Sequence, residues 1–188
     1  MNWYIVHRGD TTRYSKIKKR LPDSIFVTDG ETKLEGHLAA LNKFVKETND
    51  SHAIICEDDV YIHKNYKTII SDLNTTFDIV LLGYLIHRSP HEFGTIYYVK
   101  NNVSYYNYPE FFWGAQCYMI SREYALKLLS KINTNDTPDQ VITKYTDNRV
   151  FIYPPVAVEE GISNSEDSVH HWYHRKCKEF LYKELEYF

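Results

Sequence analysis

Short apolar runs alternate with amphipathic stretches along most of the chain. Trp3 to His7 (WYIVH) begins with bulky and β-branched residues and predicts a strand. Thr12 to Leu21 is mostly polar and closed by Pro22, which predicts a helix. Ser24 to Thr28 (SIFVT) reads as a second strand, ended by the turn pair Asp29-Gly30. From Gly36 to Glu47, the residues Leu38, Leu41 and Val45 recur at helical spacing and give one apolar face. His52 to Cys56 and Asp78 to Ile86 are almost wholly apolar, as strands covered on both faces are. Tyr66 to Leu73, between them, reads as a short helix.

The pattern changes after that. In Thr95 to Tyr106 two tyrosine-rich runs flank Asn101-Asn102, predicting a hairpin whose turn needs positive φ. Ala115 to Ile120 reads as a strand. Ser121 is placed to cap a helix running to Lys131, with Leu126 and Leu129 facing inward. Pro138 to Tyr145 is a further short helix with proline in its first turn. Val150 to Val158 is a last strand, and the Pro154-Pro155 interruption predicts an edge position. Val169 to Phe188 predicts one helical tail on the body. Together these elements predict a single α/β domain over residues 1–188, with a mixed sheet flanked by helices. Ligands bind such sheets beyond the carboxyl ends of the strands.

Charge narrows the function classes. The chain has 188 residues, 22 basic against 25 acidic, for a net charge of −3. That balance lacks the broad positive field of a nucleic-acid binder. The local run KIKKR, Lys16 to Arg20, reads as a solvated helix face or a basic patch. No run reaches the roughly 18 apolar residues of a membrane helix, and the N-terminus has no signal-peptide pattern. A cytoplasmic protein without an anchor is expected. The cysteines, Cys56, Cys117 and Cys177, fit neither a disulfide framework nor a zinc knuckle, so reduced thiols are expected. Removing the 17 tyrosines from the 43 % apolar content leaves about 34 %, so tyrosines must fill part of the core.

Candidate chemistry centres on Glu57-Asp58-Asp59, between the apolar runs HAIIC and VYI. Adjacent carboxylates at a strand end repel one another and call for a positive partner. In extended chain Glu57 and Asp59 share one face and Asp58 points away. Two hard oxygen ligands on one face suit Mg²⁺ or Mn²⁺ with positions left open for a diphosphate. A solvated acidic turn is the plain alternative.

Several segments, taken in order, resemble the family 25 glycosyltransferases, which include lipopolysaccharide-core and procollagen galactosyltransferases. These are YIVHRGDTTRYSKI, FVTDGE, LEGHLAAL, IICEDDVYI, WGAQCYMISREYALKLL, TPDQVI and YPPVAVEEGISNSED. In LEGHLAAL only His37 and Leu38 fit the family pattern; its Cys and Ser are absent. The resemblance spans about residues 3 to 168. It implies a GT-A-type fold, a nucleotide-sugar donor, usually a divalent metal, and inversion at the anomeric carbon.

On that resemblance Glu57 and Asp59 would hold Mn²⁺ or Mg²⁺, and Asp58 would assist at the donor. Arg8 and Arg13 would lie near the phosphates of a UDP-sugar, with Asp29 at uracil or ribose and His37 nearby. Asp139, or else Glu110, is the candidate base for the acceptor hydroxyl. Each of these has an ordinary structural alternative: Asp139 as a helix N-terminal acid, Asp29 as a turn residue, His37 as a packed histidine. The aromatic stretch Tyr97 to Trp113, and within it Tyr108, Trp113 and the adjoining Gly114, is the expected surface for a glycan or glycoprotein acceptor. His170, His171 and His174 in the tail include an i, i+4 pair that could ligate a metal. Rival readings are an inactive glycan-binding domain on the same fold and a metal-dependent phosphohydrolase.

Overall fold

The computed structural model describes residues 1–107, 113–132, 136–160 and 169–185. Among these residues ten strands join in one sheet. The elements in chain order are β1 (Asn2–Val6), α1 (Thr11–Arg20), β2 (Ile25–Val27), α2 (Lys33–Glu47), β3 (His52–Glu57), β4 (Val60–Ile62), α3 (Tyr66–Ser71) and β5 (Ile79–Gly83). The hairpin β6 (Thr95–Lys100) and β7 (Val103–Asn107) follows, then β8 (Cys117–Ser121), α4 (Arg122–Leu129), α5 (Pro138–Lys144), β9 (Arg149–Tyr153), β10 (Ala157–Glu159) and α6 (Val169–Leu185).

The main strand order is β2-β1-β3-β8-β5-β9-β7-β6, and β10 joins β4 to β5 beside it. Only β8 and β7 run against the other six strands of this path. The fold is therefore α/β with a mixed, mostly parallel sheet flanked by helices. One face carries Leu34, Leu41 and Phe44 of α2, Tyr124 and Leu128 of α4, and Val141 of α5. The other face carries Ile17 of α1 and Ile69 of α3. Alternate side chains of β3 and β5 feed the two cores, which explains their unbroken apolar runs. Tyr4, Tyr84, Tyr105, Tyr118 and Tyr124 are fully buried and fill space that aliphatic residues fill elsewhere.

Local signals account for the element ends. Asp10 accepts hydrogen bonds from the backbone N–H groups of Thr12 and Arg13 and starts α1. Asn101 and Asn102 take φ of 49° and 66°, as the hairpin turn requires. Ser121 caps α4 through the Tyr124 N–H.

Three expectations need correction. The second helix begins at Lys33, not Gly36, because Thr32 and Glu35 form a capping box. In α4 the buried residues are Tyr124, Ala125 and Leu128; of the two expected inward, Leu129 packs partly buried against the core, whereas Leu126 is 51 % exposed. The Val150 to Val158 segment is two strands, and β9 is interior, between β5 and β7. Pro154 and Pro155 fall after β9, so they remove no ladder hydrogen bond from it.

Candidate functional site

Polar and charged groups gather at the carboxyl ends of β1 and β3 and the start of β8. Val6 pairs with Glu57 at the top of the β1–β3 ladder. The Glu57 N–H donates to the Gln116 carbonyl at 2.8 Å, which brings residues 114–116 alongside. Two close backbone approaches shape this end. A Cβ at Gly36 would lie 2.6 Å from Val6 Cγ1, and one at Gly30, where φ is +108°, would lie 2.6 Å from the Gly36 nitrogen. The N-terminal turn of α2 thereby sits directly against the end of β1.

The three neighbouring acids have separate partners. Glu57 accepts from Lys33 Nζ at 3.2 Å through Oε2, and its Oε1 lies 3.3 Å from His37 Nε2. Lys33 and His37 are one helical turn apart on α2, so one helix face presents both to the same carboxylate. His37 Nδ1 is also 3.1 Å from the Tyr118 hydroxyl. Asp58 is buried, with Oδ2 2.6 Å from His7 Nδ1. The Arg13 guanidinium lies 3.9 Å from Asp58 and 3.6 Å from Asp59. The chain bends at residues 58 and 59, so strict alternation fails and Asp58 shares Arg13 with Asp59.

These surroundings drive Glu57 and Asp59 apart in acidity. Burial alone would raise Glu57, but His37 and Lys33 outweigh it and hold the carboxyl down at about 2. Asp59 is raised to about 7 by burial, then by the Glu57 charge, with Glu159 adding to the rise; Lys33 and Arg13 offset only part of this. Asp59 Oδ1 is buried and has no hydrogen-bond partner among the described residues. The cluster is short of positive charge at that atom.

A divalent ion can be tested against this geometry. Glu57 does not fit as a ligand, because both its oxygens already face cationic or donor groups. Asp59 fits: it offers an unmatched buried acceptor where positive charge is lacking. One carboxylate, completed by substrate oxygens and water, is a sufficient protein contribution for Mg²⁺-type ions. Among the described residues no three His, Cys, Asp or Glu side chains converge as an all-protein metal site.

The other expected residues divide. Arg8 is exposed at the same end of the sheet and donates to the Glu31 carbonyl at 2.8 Å. Asp29 is exposed in the turn before α2. Asp139 accepts from the Gly114 N–H at 2.8 Å. Burial pushes its carboxyl up, against the lowering by Gly114, and the Glu57 charge adds to the rise. Gly114 has φ of +146°, and a Cβ there would lie 2.4 Å from Tyr84 Cα. Trp113 is 42 % exposed, and its carbonyl accepts from the Leu85 N–H. Tyr108 and Glu110 lie outside the described residues.

The hairpin tyrosines stand apart from this group. Tyr98 stacks on Tyr105 with centroids 4.3 Å apart, four to five strands away from β3 in the sheet order. In the tail, His174 Nδ1 lies 2.6 Å from Glu159 Oε2. The side chains of His170 and His171 are not among those described.

The sequence reading missed Lys33 and Tyr14. The Lys33–His37 spacing was the available signal for the first, once the helix start is read from Thr32 and Glu35. Tyr14 packs on Phe26 with centroids 4.3 Å apart, and both rings lie near His7 at the ends of β1 and β2.

No model of a known protein family matches the chain, and no curated protein matches it. The resemblance to family 25 therefore has no counterpart in either comparison. Among solved structures, A197 from STIV aligns with 14 % identity over 91 % of this chain and 100 % of its own, at a TM-score of 0.50. HddC from Yersinia pseudotuberculosis aligns with 15 % identity over 95 % of this chain and 76 % of its own, at 0.47. The inositol-1-phosphate CTP transferase from T. maritima gives 15 %, 90 %, 74 % and 0.45 in the same order. Among the described residues no helix is long and apolar enough to cross a membrane. The likeness to A197 over its whole length is one of fold.

Proposed function

We propose that the chain is a glycosyltransferase of GT-A type that moves a hexose from a UDP-sugar to a hydroxyl of a glycan or glycoprotein. The observation that carries this reading is Asp59: a partly buried carboxylate with one buried, unmatched oxygen, beside Arg13 and Lys33, at the carboxyl end of a mostly parallel sheet. A Mn²⁺ or Mg²⁺ ion held by Asp59 would supply the charge that neutralises a leaving diphosphate.

The chain's own groups have distinct tasks in this reading. Arg13, Arg8 and Lys33 offer cationic donors for phosphate oxygens at one end of the sheet. The Tyr14–Phe26 pair offers an aromatic face for a nucleobase, with Asp29 in the neighbouring turn. Glu57 stays ionised and fixes Lys33 and His37 in place. Asp139 is the acceptor's base: its raised affinity for protons suits accepting one from a hydroxyl. In an inverting reaction that proton leaves as the hydroxyl oxygen bonds the anomeric carbon from the face opposite the diphosphate, and the product is β-linked. Trp113, exposed next to Gly114, offers a ring to the acceptor sugar.

The test is calorimetric titration of UDP and single UDP-hexoses with and without Mn²⁺, together with UDP release. Metal-dependent binding that is lost in Asp59→Asn, with the variant still folded, is the expected result. Wild-type protein that binds no nucleoside diphosphate under either condition overturns the reading.

A further inference from the structure

A second feature of α1 leads away from the acidic cluster. Arg13, Lys16, Lys19 and Arg20 recur at spacings of three and four, so they form one stripe along the helix. Arg13 begins it at Asp58 and Asp59. The stripe continues over a cavity of about 510 Å³ between α1 and β4, with Lys16, Lys19 and Arg20 on one side and Tyr61 on the other. That volume falls within the roughly 300–1,000 Å³ range of small-molecule sites.

The charge balance of this cavity is opposite to that of its neighbour. Among the described residues Glu160 is its one acidic lining residue, and Lys16 pairs with it. Lys178 also reaches this side: its Nζ donates to the Glu160 carbonyl at 2.7 Å and sits 5.9 Å from the Tyr61 ring centre. Lys19 and Arg20 have no carboxylate partner among the described residues. Residues 11–20 contain no acid, in a chain whose net charge is −3. The cavity adjoins the site directly, because Val60 lines it and the Glu160 N–H donates to the Asp59 carbonyl.

We propose that this cavity binds a phosphorylated saccharide, the anionic part of the acceptor, with the phosphate on Lys19 and Arg20 and the sugar against Tyr61. The ammonium and guanidinium groups match phosphate oxygens, and the Tyr61 ring gives the sugar's C–H face an apolar surface. The role of this saccharide as acceptor rests on the reading of the adjoining cluster as a sugar-transfer site; its binding in the cavity rests on Lys19, Arg20 and Tyr61.

The experiment is titration of the intact chain with glucose 6-phosphate, with glucose, and with vesicles containing phosphatidylglycerol, at low and high salt. UDP with Mn²⁺ is titrated in parallel. Glucose 6-phosphate should bind, glucose should not, and salt should weaken the binding. The double variant K19Q/R20Q, at two exposed positions, should lower that affinity by about tenfold and leave the UDP titration as in wild type. Equal binding by variant and wild type, or capture of vesicles without binding of glucose 6-phosphate, overturns the proposal. Binding of glucose 6-phosphate that needs Lys19 and Arg20, in protein that ignores UDP, supports the cavity and overturns the transferase reading alone.

Discussion

The two halves of the sheet bury different kinds of polar group. Around β9, β7 and β6 the buried polar groups are tyrosine hydroxyls; those of Tyr84 and Tyr105 have backbone partners, and that of Tyr98 has none among the described residues. Tyr84 donates to the Ile152 carbonyl at 2.6 Å, and Tyr105 accepts from the Asn74 N–H at 3.1 Å. The rings stack face to face, Tyr106 on Phe151 and Tyr98 on Tyr105. At the ends of β1 and β3 the buried acids are Glu57 and Asp58, and their partners are His7 and side chains of α1 and α2. There the matching is incomplete, and Asp59 bears the deficit. Stacked aromatic rings with neutral hydroxyls make a scaffold, whereas an unsatisfied carboxylate beside cations leaves affinity for a charged ligand.

The largest effect expected from this contrast lies in the scaffold. Tyr105→Ala removes a fully buried ring stacked on Tyr98 and should cost about 3–5 kcal/mol in denaturant unfolding. Tyr105→Phe keeps the ring, loses one hydrogen bond, and should cost about 1 kcal/mol. Similar costs for the two variants would mean that the hydroxyl, not the ring, holds this half together, and the contrast would fail.

The next effect has the opposite sign. Asp59 is raised from 3.8 to about 7, so its folded form binds a proton that the unfolded chain has already released. The associated stability is complete below 3.8 and is lost as pH rises through 7. Asp59→Asn removes this dependence. Its melting temperature should match wild type near pH 4 and exceed it by about 5 °C at pH 8. The same substitution abolishes the proposed metal-dependent UDP binding, so stability and function should separate in one variant. A variant less stable than wild type at pH 8 would show that Asp59 is already well matched.

How far the sequence revealed these halves follows from the range of each signal. The hairpin was legible because Asn101-Asn102 is a local turn signal between two tyrosine-rich runs. The burial of tyrosines followed from the shortage of aliphatic residues. The placing of Glu57 to Asp59 at a strand end was legible from the apolar run before them. Their division of roles was not, because it depends on Lys33, His37 and Arg13 arriving from two helices. One part of that was within reach. Thr32 and Glu35 mark the start of α2, and Lys33 and His37 then share a face. Gly36 drew the expected helix start too late. The interior position of β9 depends on its pairing with β7, a contact between distant segments with no local trace.

A smaller effect tests whether an exposed aromatic belongs to the scaffold or to the site. In the scaffold half the burial of rings carries stability, so removing a ring there is costly. Trp113 instead leaves 42 % of its surface exposed, and its carbonyl bond to the Leu85 N–H survives any side-chain change. Trp113→Ala should therefore shift unfolding by no more than about 0.5 kcal/mol. Its neighbour Gly114 donates its N–H to Asp139, and in the proposed reaction the ring is assigned to the acceptor rather than the donor. The variant should raise the KM for acceptor several-fold and leave UDP titration unchanged. A loss of stability comparable to that of Tyr105→Phe would assign Trp113 to the packing of the sheet, and the line between the two halves would have to be redrawn through residue 113.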